Sequence, residues 1–159
     1  MPTPDFILSL REKIGTHPLW LSGVTAVILR GEGADRETLL VRRADNGWWT
    51  PVTGIIDPGE HPAVAAEREA LEEASVVVVA ERLASVGVVA PMEYSNGDRA
   101  QYLDIVFQCR YISGAAAVGD DENTEVRWCR LDDLPELVHD FRERIFLAAD
   151  GGPEAAFRR

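Results

Sequence analysis

At 159 residues, with 46% apolar and 27% charged side chains, the chain suffices for one domain with a core of its own and excludes a disordered or fibrous polymer. The 27 acidic residues against 16 basic ones leave a net charge of −11, which repels nucleic-acid polymers and anionic membranes at long range. A small phosphorylated substrate stays compatible with that charge when a divalent cation bridges it to the acids.

The start, MPTPDFILSLREK, carries acids early and no apolar run of signal-peptide length. No later stretch reaches the roughly 18–20 apolar residues of a membrane span, so the cytoplasm is the expected location. From Asp5 to Ile14 the residues Phe6, Ile7, Leu10 and Ile14 form one helical stripe, which Gly15 is placed to end. Val24–Arg30 and Thr38–Arg42 are β-rich and read as a hairpin joined through residues 31–37. Residues 44–59, with Gly, Pro, Asn and the adjacent Trp48 and Trp49, read as a loop. Pro62 sits where a first helical residue is tolerated, and strong helix formers fill Ala63–Ala74 before Ser75 ends the helix.

Strands are predicted at Val76–Val79, Val86–Val89, Gln101–Tyr111 and Val126–Cys129, with a polar turn at Ser95–Asp98. The second part of Leu134–Ala149 is helical, since Phe141, Ile145 and Ala149 recur every four residues. Cys109 and Cys129, 20 residues apart and without a Cys-x-x-Cys or a His pair, read as buried reduced thiols in neighbouring strands. Strands before and after a central helix, with helices at both ends, predict an α/β fold with a mixed sheet sandwiched between helices. The chain divides into an N-terminal helical extension at 1–20, a main domain at 21–150 and a tail at 151–159.

The central helix carries the chemistry. Glu69, Glu72 and Glu73 stand at i, i+3 and i+4, so their carboxylates share one face. Ala63, Val64, Ala70, Leu71 and Ala74 are expected on the other side, packed against the sheet. Like charges one turn apart cost a few tenths of a kcal/mol on an exposed helix, a cost that a hard cation such as Mg²⁺ or Mn²⁺ removes. Arg68 is placed to pair with Glu72 or with Glu60 and to hold a carboxylate rotamer. Taken alone, the glutamate triplet reads more readily as a solvated acidic face. Six fixed positions, Gly54, Glu60, Arg68, Glu69, Glu72 and Glu73, coincide by chance only about once in 10⁷ placements.

The segment Gly54–Val76 resembles the Nudix hydrolase signature, G-x5-E-x7-R-E-U-x-E-E-x-G-U with U apolar. All six residues match, as do Ala70 and Val76 in the apolar places. Ser75 stands where the family has Gly, and the usual Pro-Gly-Gly entry reads Val52-Thr53-Gly54. The upstream hairpin, the Asp45–Trp49 loop and the Glu-Val-Arg-Trp strand before Leu131–Leu134 extend the likeness over roughly Leu21–Leu137.

The resemblance implies a Nudix-type α/β/α sandwich and a diphosphohydrolase acting on a nucleoside triphosphate or on a nucleotide sugar such as ADP-ribose. Glu69, Glu72 and Glu73, with the Gly54 carbonyl, would hold Mg²⁺, for which Mn²⁺ is a substitute. Arg68 joins the catalytic set, and the general base is Glu69 or a downstream acid such as Glu122. Arg42, Trp48, Tyr94 and Asp104 are the candidate substrate contacts, with Arg99 beside them. The expected partners are a small nucleotide-type substrate and, through the N-terminal helix and Leu19–Leu21, a second copy of the chain. The alternative is a catalytically silent Nudix-like module that senses a nucleotide or binds protein; the intact glutamates weigh against it.

Overall fold

The computed structural model describes residues 3–157. In chain order the elements are helix α1 (Asp5–Ile14), strands β1 (Leu19–Arg30), β2 (Glu37–Arg43), β3 (Trp49–Thr50) and β4 (Val52–Ile55), then helix α2 (Pro62–Ala74). Strands β5 (Val77–Val88), β6 (Met92–Glu93), β7 (Arg99–Ser113) and β8 (Asn123–Arg130) follow, then helix α3 (His139–Asp150) and strand β9 (Ala156–Phe157). The strands form one mixed sheet in the order β3-β2-β1-β7-β5-β9, with β4 also on β1, β6 on β7 and β8 on β2. Its spine is the parallel pairing of β1 with β7, from Leu19 opposite Ala100 to Leu29 opposite Arg110.

Alternation along β1 assigns the two faces. Val24, Ala26 and Ile28 join Ala65, Ala66, Ala70 and Ala74 of α2 in one core. Val27 and Leu29 join Ile145, Ala148 and Ala149 of α3 in the second. A third, smaller core holds Ile7 of α1 against Leu21 and Ala100. The predicted sandwich is the observed one.

Several boundaries differ for identifiable reasons. The segment read as a loop contains β3 and β4, because Val52 and Thr50 are buried and pair with β1 and β2. The two strands predicted within 76–89 are one, β5, which keeps its pairing with β7 through three irregularities of register. β1 begins at Leu19, inside the predicted extension, and Leu21 is buried while Trp20 stays exposed. In the tail, β9 returns to the sheet in parallel beside β5, and residues 158–159 lie outside the described residues. Both cysteines are free and buried, yet they sit in different cores on strands separated by β1 and β2, so they are not neighbours.

Helix α2 stops at Ser75, whose φ of 58° and ψ of 30° are left-handed, the one such non-glycine among the described residues. Its N–H returns to the carbonyls of Ala70 and Leu71. A Cβ is strained in that conformation, so Ser75→Gly is expected to raise stability by about 1 kcal/mol. In a chain of this size that is a rise of roughly 2–4 °C in melting temperature, read by thermal denaturation. A fall would show that the serine side chain contributes more than the strain removes.

Candidate active site

Helix α2 lies on the sheet with a face made of small side chains, Ala65, Ala66, Ala70 and Ala74, which let its axis approach closely. The same face carries Glu69 and Glu73, which are 1% and 4% exposed. Val64 and Leu71, expected to pack inward, point to solvent instead at 52% and 55% exposure. Ala70 and Ala74 are buried as expected, so the inward face is rotated from the predicted one rather than opposite to it. The seam at Gly54 draws it round: a Cβ there would lie 2.1 Å from the Glu69 carboxyl carbon.

Arg68 organises the acids around that seam. Its Nε and Nη2 donate to the two oxygens of Glu60 at 2.8 and 2.9 Å. Nη1 donates to Glu69 at 2.8 Å and to Glu72 at 3.1 Å, and Nη2 also reaches the Ile55 carbonyl at 3.2 Å. The Glu60 carboxyl is held below its usual range by this hydrogen bonding. Glu69 moves the other way, to about 7, because burial outweighs the Arg68 charge and Glu72 and Glu122 add repulsion. Glu73 is pushed up to about 8, first by burial and then by the charges of Glu69 and Glu122.

A second segment closes the site from the β8 side. The backbone N–H groups of Ala117 and Gly119 donate to the carbonyls of Ala74 and Glu73 at 3.1 and 3.0 Å, satisfying groups left over at the end of α2. A Cβ on Gly119 would stand 1.9 Å from the Glu72 carbonyl oxygen, so only glycine allows the approach. This brings half-buried Glu122 within electrostatic reach of both buried glutamates, and its carbonyl accepts from the Ala44 N–H at 2.8 Å. Buried Asn123 donates its side-chain amide to Glu73 Oε2 at 3.1 Å. Asn123 escaped the sequence reading, since one Asn in a polar loop carries no signal without its partner.

The candidate substrate contacts are scattered. Arg42 is exposed and pairs with Glu125 at 2.7 Å, and Trp48 is 53% exposed in the adjoining turn. Tyr94 shares a 2.7 Å hydroxyl hydrogen bond with Tyr102 beside the α1 core. Half-buried Arg43 beside that turn forms a fork with Asp45 at 2.9 and 2.7 Å, and the charge of Glu122 reaches it. Arg99 instead ties down the end of α1, donating to the Thr16 carbonyl at 3.3 Å.

Asp104 is not brought to the glutamates. It is 4% exposed on the α3 face of the sheet, where Thr25 donates to it at 2.8 Å and Arg144 Nε stands 3.2 Å away. The expectation of a substrate contact placed Asp104 on the β7 strand, and strand position alone does not say which face of the sheet the side chain takes.

Among the described residues no three His, Cys, Asp or Glu side chains converge as a ready metal cage. The donor chemistry nevertheless fits a hard divalent cation. Glu69, Glu72 and Glu73 offer carboxylate oxygens, Glu69 directly against Gly54, and burial makes Glu69 and Glu73 readier than exposed acids to take up a cation or a proton. The partners differ in kind: Glu60, Glu69 and Glu72 face Arg68, whereas among the described residues Glu73 contacts a neutral amide.

The family model of the NUDIX domain matches residues 20–149. A MutT-like protein of Streptomyces ambofaciens is 30% identical over 148 residues, covering 92% of this chain and 88% of its own length. A dihydroneopterin triphosphate diphosphatase of Escherichia coli K12 is 31% identical over 85 residues, 54% of either chain, so the match spans about half of that relative. Among solved structures, an ADP-ribose pyrophosphatase of Streptococcus suis superposes with a TM-score of 0.66 at 21% identity, covering 87% of this chain and 98% of its own. At that identity the superposition speaks for the fold.

Proposed function

The chain belongs to the NUDIX domain family, and on that footing we propose that it is a Mg²⁺-dependent diphosphohydrolase. Its substrate is a nucleoside diphosphate linked to a further moiety, either a phosphate, as in a nucleoside triphosphate, or a sugar, as in ADP-ribose. The observation that carries the reading is the pair of buried carboxyls, Glu69 and Glu73, set against Gly54 and bordered by Glu72 and Glu122. Burying two acids together is unfavourable unless a cation or a proton joins them. A relative named as a diphosphatase supports the reaction class.

In this mechanism Glu69, Glu72 and Glu73, with the Gly54 carbonyl, hold the ion. When bound, it supplies Lewis-acid polarisation of a phosphoryl oxygen and offsets the charge that develops there. Arg68 fixes the rotamers of Glu69 and Glu72 through its fork. Glu122 is the general base: it is half-buried at the rim, whereas Glu69 is sealed from solvent and engaged by Arg68. It takes the proton of the attacking water as the new P–O bond forms and the anhydride P–O bond breaks, releasing a phosphate-bearing group. Mn²⁺ is a workable substitute for the ion. Among the described residues no helix is long and apolar enough to cross a membrane; we place the enzyme in the cytoplasm, and exposed Trp20 favours a homodimer through the N-terminal segment.

The test is incubation of the protein with Mg²⁺ and a panel of nucleoside triphosphates, nucleoside diphosphate sugars, dinucleoside polyphosphates and dinucleotide cofactors, following phosphate and nucleotide products. Turnover of one class that disappears with chelator is the expected result. Silence across the panel, with nucleotide binding retained, would favour a sensing module over an enzyme.

A further inference from the structure

We propose that Asn123 is a positioning residue for the site, its side-chain amide locking the Glu73 carboxylate in the rotamer that meets the cation. This rests on the metal-dependent reading given above and adds a residue to it.

The side-chain amide of Asn123 donates to Glu73 Oε2 at 3.1 Å with both residues buried, at 6% and 4% exposure. A buried donor and a buried acceptor that meet are held strongly, since breaking the contact strands both. The contact is also preorganised from two sides. Upstream, the Ala117 and Gly119 N–H groups bind the carbonyls of Ala74 and Glu73, at the end of the helix that carries the carboxylate. Downstream, Asn123 opens β8 opposite Arg43, where the β2 ladder shifts register, and the Ala44 N–H binds the Glu122 carbonyl. The backbone that carries the amide is therefore fastened to both α2 and β2 beside the acid.

The kind of donor matters as much as its place. Arg68 brings one positive charge to the three glutamates it touches, whereas Asn123 holds Glu73 with none. One oxygen is fixed without a guanidinium or ammonium group competing with an incoming cation for the carboxylate. That is the behaviour of the outer partners that orient metal ligands, whose loss commonly weakens metal affinity about 10- to 100-fold.

The test uses Mn²⁺ as the probe on the full chain, by calorimetric titration at 10 °C, where variants of modest stability remain folded. Asn123→Leu removes the donor at similar size, and Asn123→Ala is the second variant should the leucine disturb packing; metal-free melting curves verify folding. The expected result is Mn²⁺ affinity reduced about 10- to 100-fold in a folded variant. A folded variant with wild-type Mn²⁺ affinity, changed only in melting temperature, would overturn the inference and leave Asn123 a packing residue. Failure of the wild-type protein to bind Mn²⁺ at all would overturn the metal reading itself and this inference with it, whereas a neutral variant of a metal-binding wild type removes the positioning role alone.

Discussion

Glu73→Gln is expected to reduce turnover of the substrate by at least about 10³-fold, roughly 4 kcal/mol of lost transition-state stabilisation, while the protein stays folded. Glutamine keeps the shape of the acid and still presents an oxygen to the Asn123 amide, but it cannot offer a carboxylate to a cation. The fold should tolerate it well. Without metal, the Glu73 carboxyl is pushed up to about 8 and Glu69 to about 7. At pH values between the ordinary 4.5 and those figures, the folded state keeps protons that the unfolded chain releases. The stability these groups contribute is therefore full below about pH 4.5 and is lost as pH rises through 7 to 8.

Glutamine mimics the protonated form and escapes that loss. Melting of the metal-free proteins from pH 5 to 8.5 should show the wild type losing stability and Glu73→Gln losing less. Added Mg²⁺ should restore the wild type at pH 8 and leave the variant nearly unchanged. Retained turnover in Glu73→Gln would sink the assignment of this carboxylate, and a parallel pH slope in the two proteins would show that its burial is not what the metal relieves.

The second large effect lies on the other side of the sheet. Asp104→Ala is expected to cost about 3–5 kcal/mol, the range for stripping one partner from a buried ion pair. Arg144 is 3% exposed, with its Nε 3.2 Å from Asp104 Oδ2 and its Nη1 3.3 Å from the Thr25 hydroxyl. It also pairs with Asp140 one turn back on α3. Removing Asp104 leaves a buried guanidinium with half-exposed Asp140 and the Phe141 ring to answer its charge. The melting temperature should fall by roughly 6–20 °C. Replacing both partners with apolar side chains, Asp104→Leu with Arg144→Met, should recover most of that loss. If Asp104 instead served the substrate, its removal would lower activity and leave the melting temperature within a degree or two.

Much of this molecule is legible in one dimension because the relevant interactions are local. The span of α1 and the periodic half of α3 follow from spacings of three and four residues, and the start of α2 from Pro62, although of the α1 stripe only Ile7 is buried. The motif from Gly54 to Glu73 is likewise contiguous, and Arg68 reaches Glu60, Glu69 and Glu72 within one loop and two helical turns. Elements β3 and β4 were not legible, since two to four residues earn strand status only from the partners that β1 and β2 supply. The single long β5 escaped for a similar reason: pairing with β7 carries it across residues whose own pattern breaks.

What the sequence determined by itself is which residue types are available and how they repeat: a family signature, an α/β order of elements, and three glutamates within five positions of one helix. What only the tertiary structure decided is which side of each element faces inward and what meets it there. It turned α2 so that alanines and two glutamates go in while Val64 and Leu71 stay out, and it sent Asp104 to Arg144 rather than to the glutamates. It also carried Asn123 across 50 residues of chain to Glu73. The reason is physical: periodicity sets the relative angles of side chains on an element, but the absolute rotation is set by close packing against neighbours. Here a missing Cβ at Gly54 or Gly119 outweighs the burial of an exposed valine or leucine.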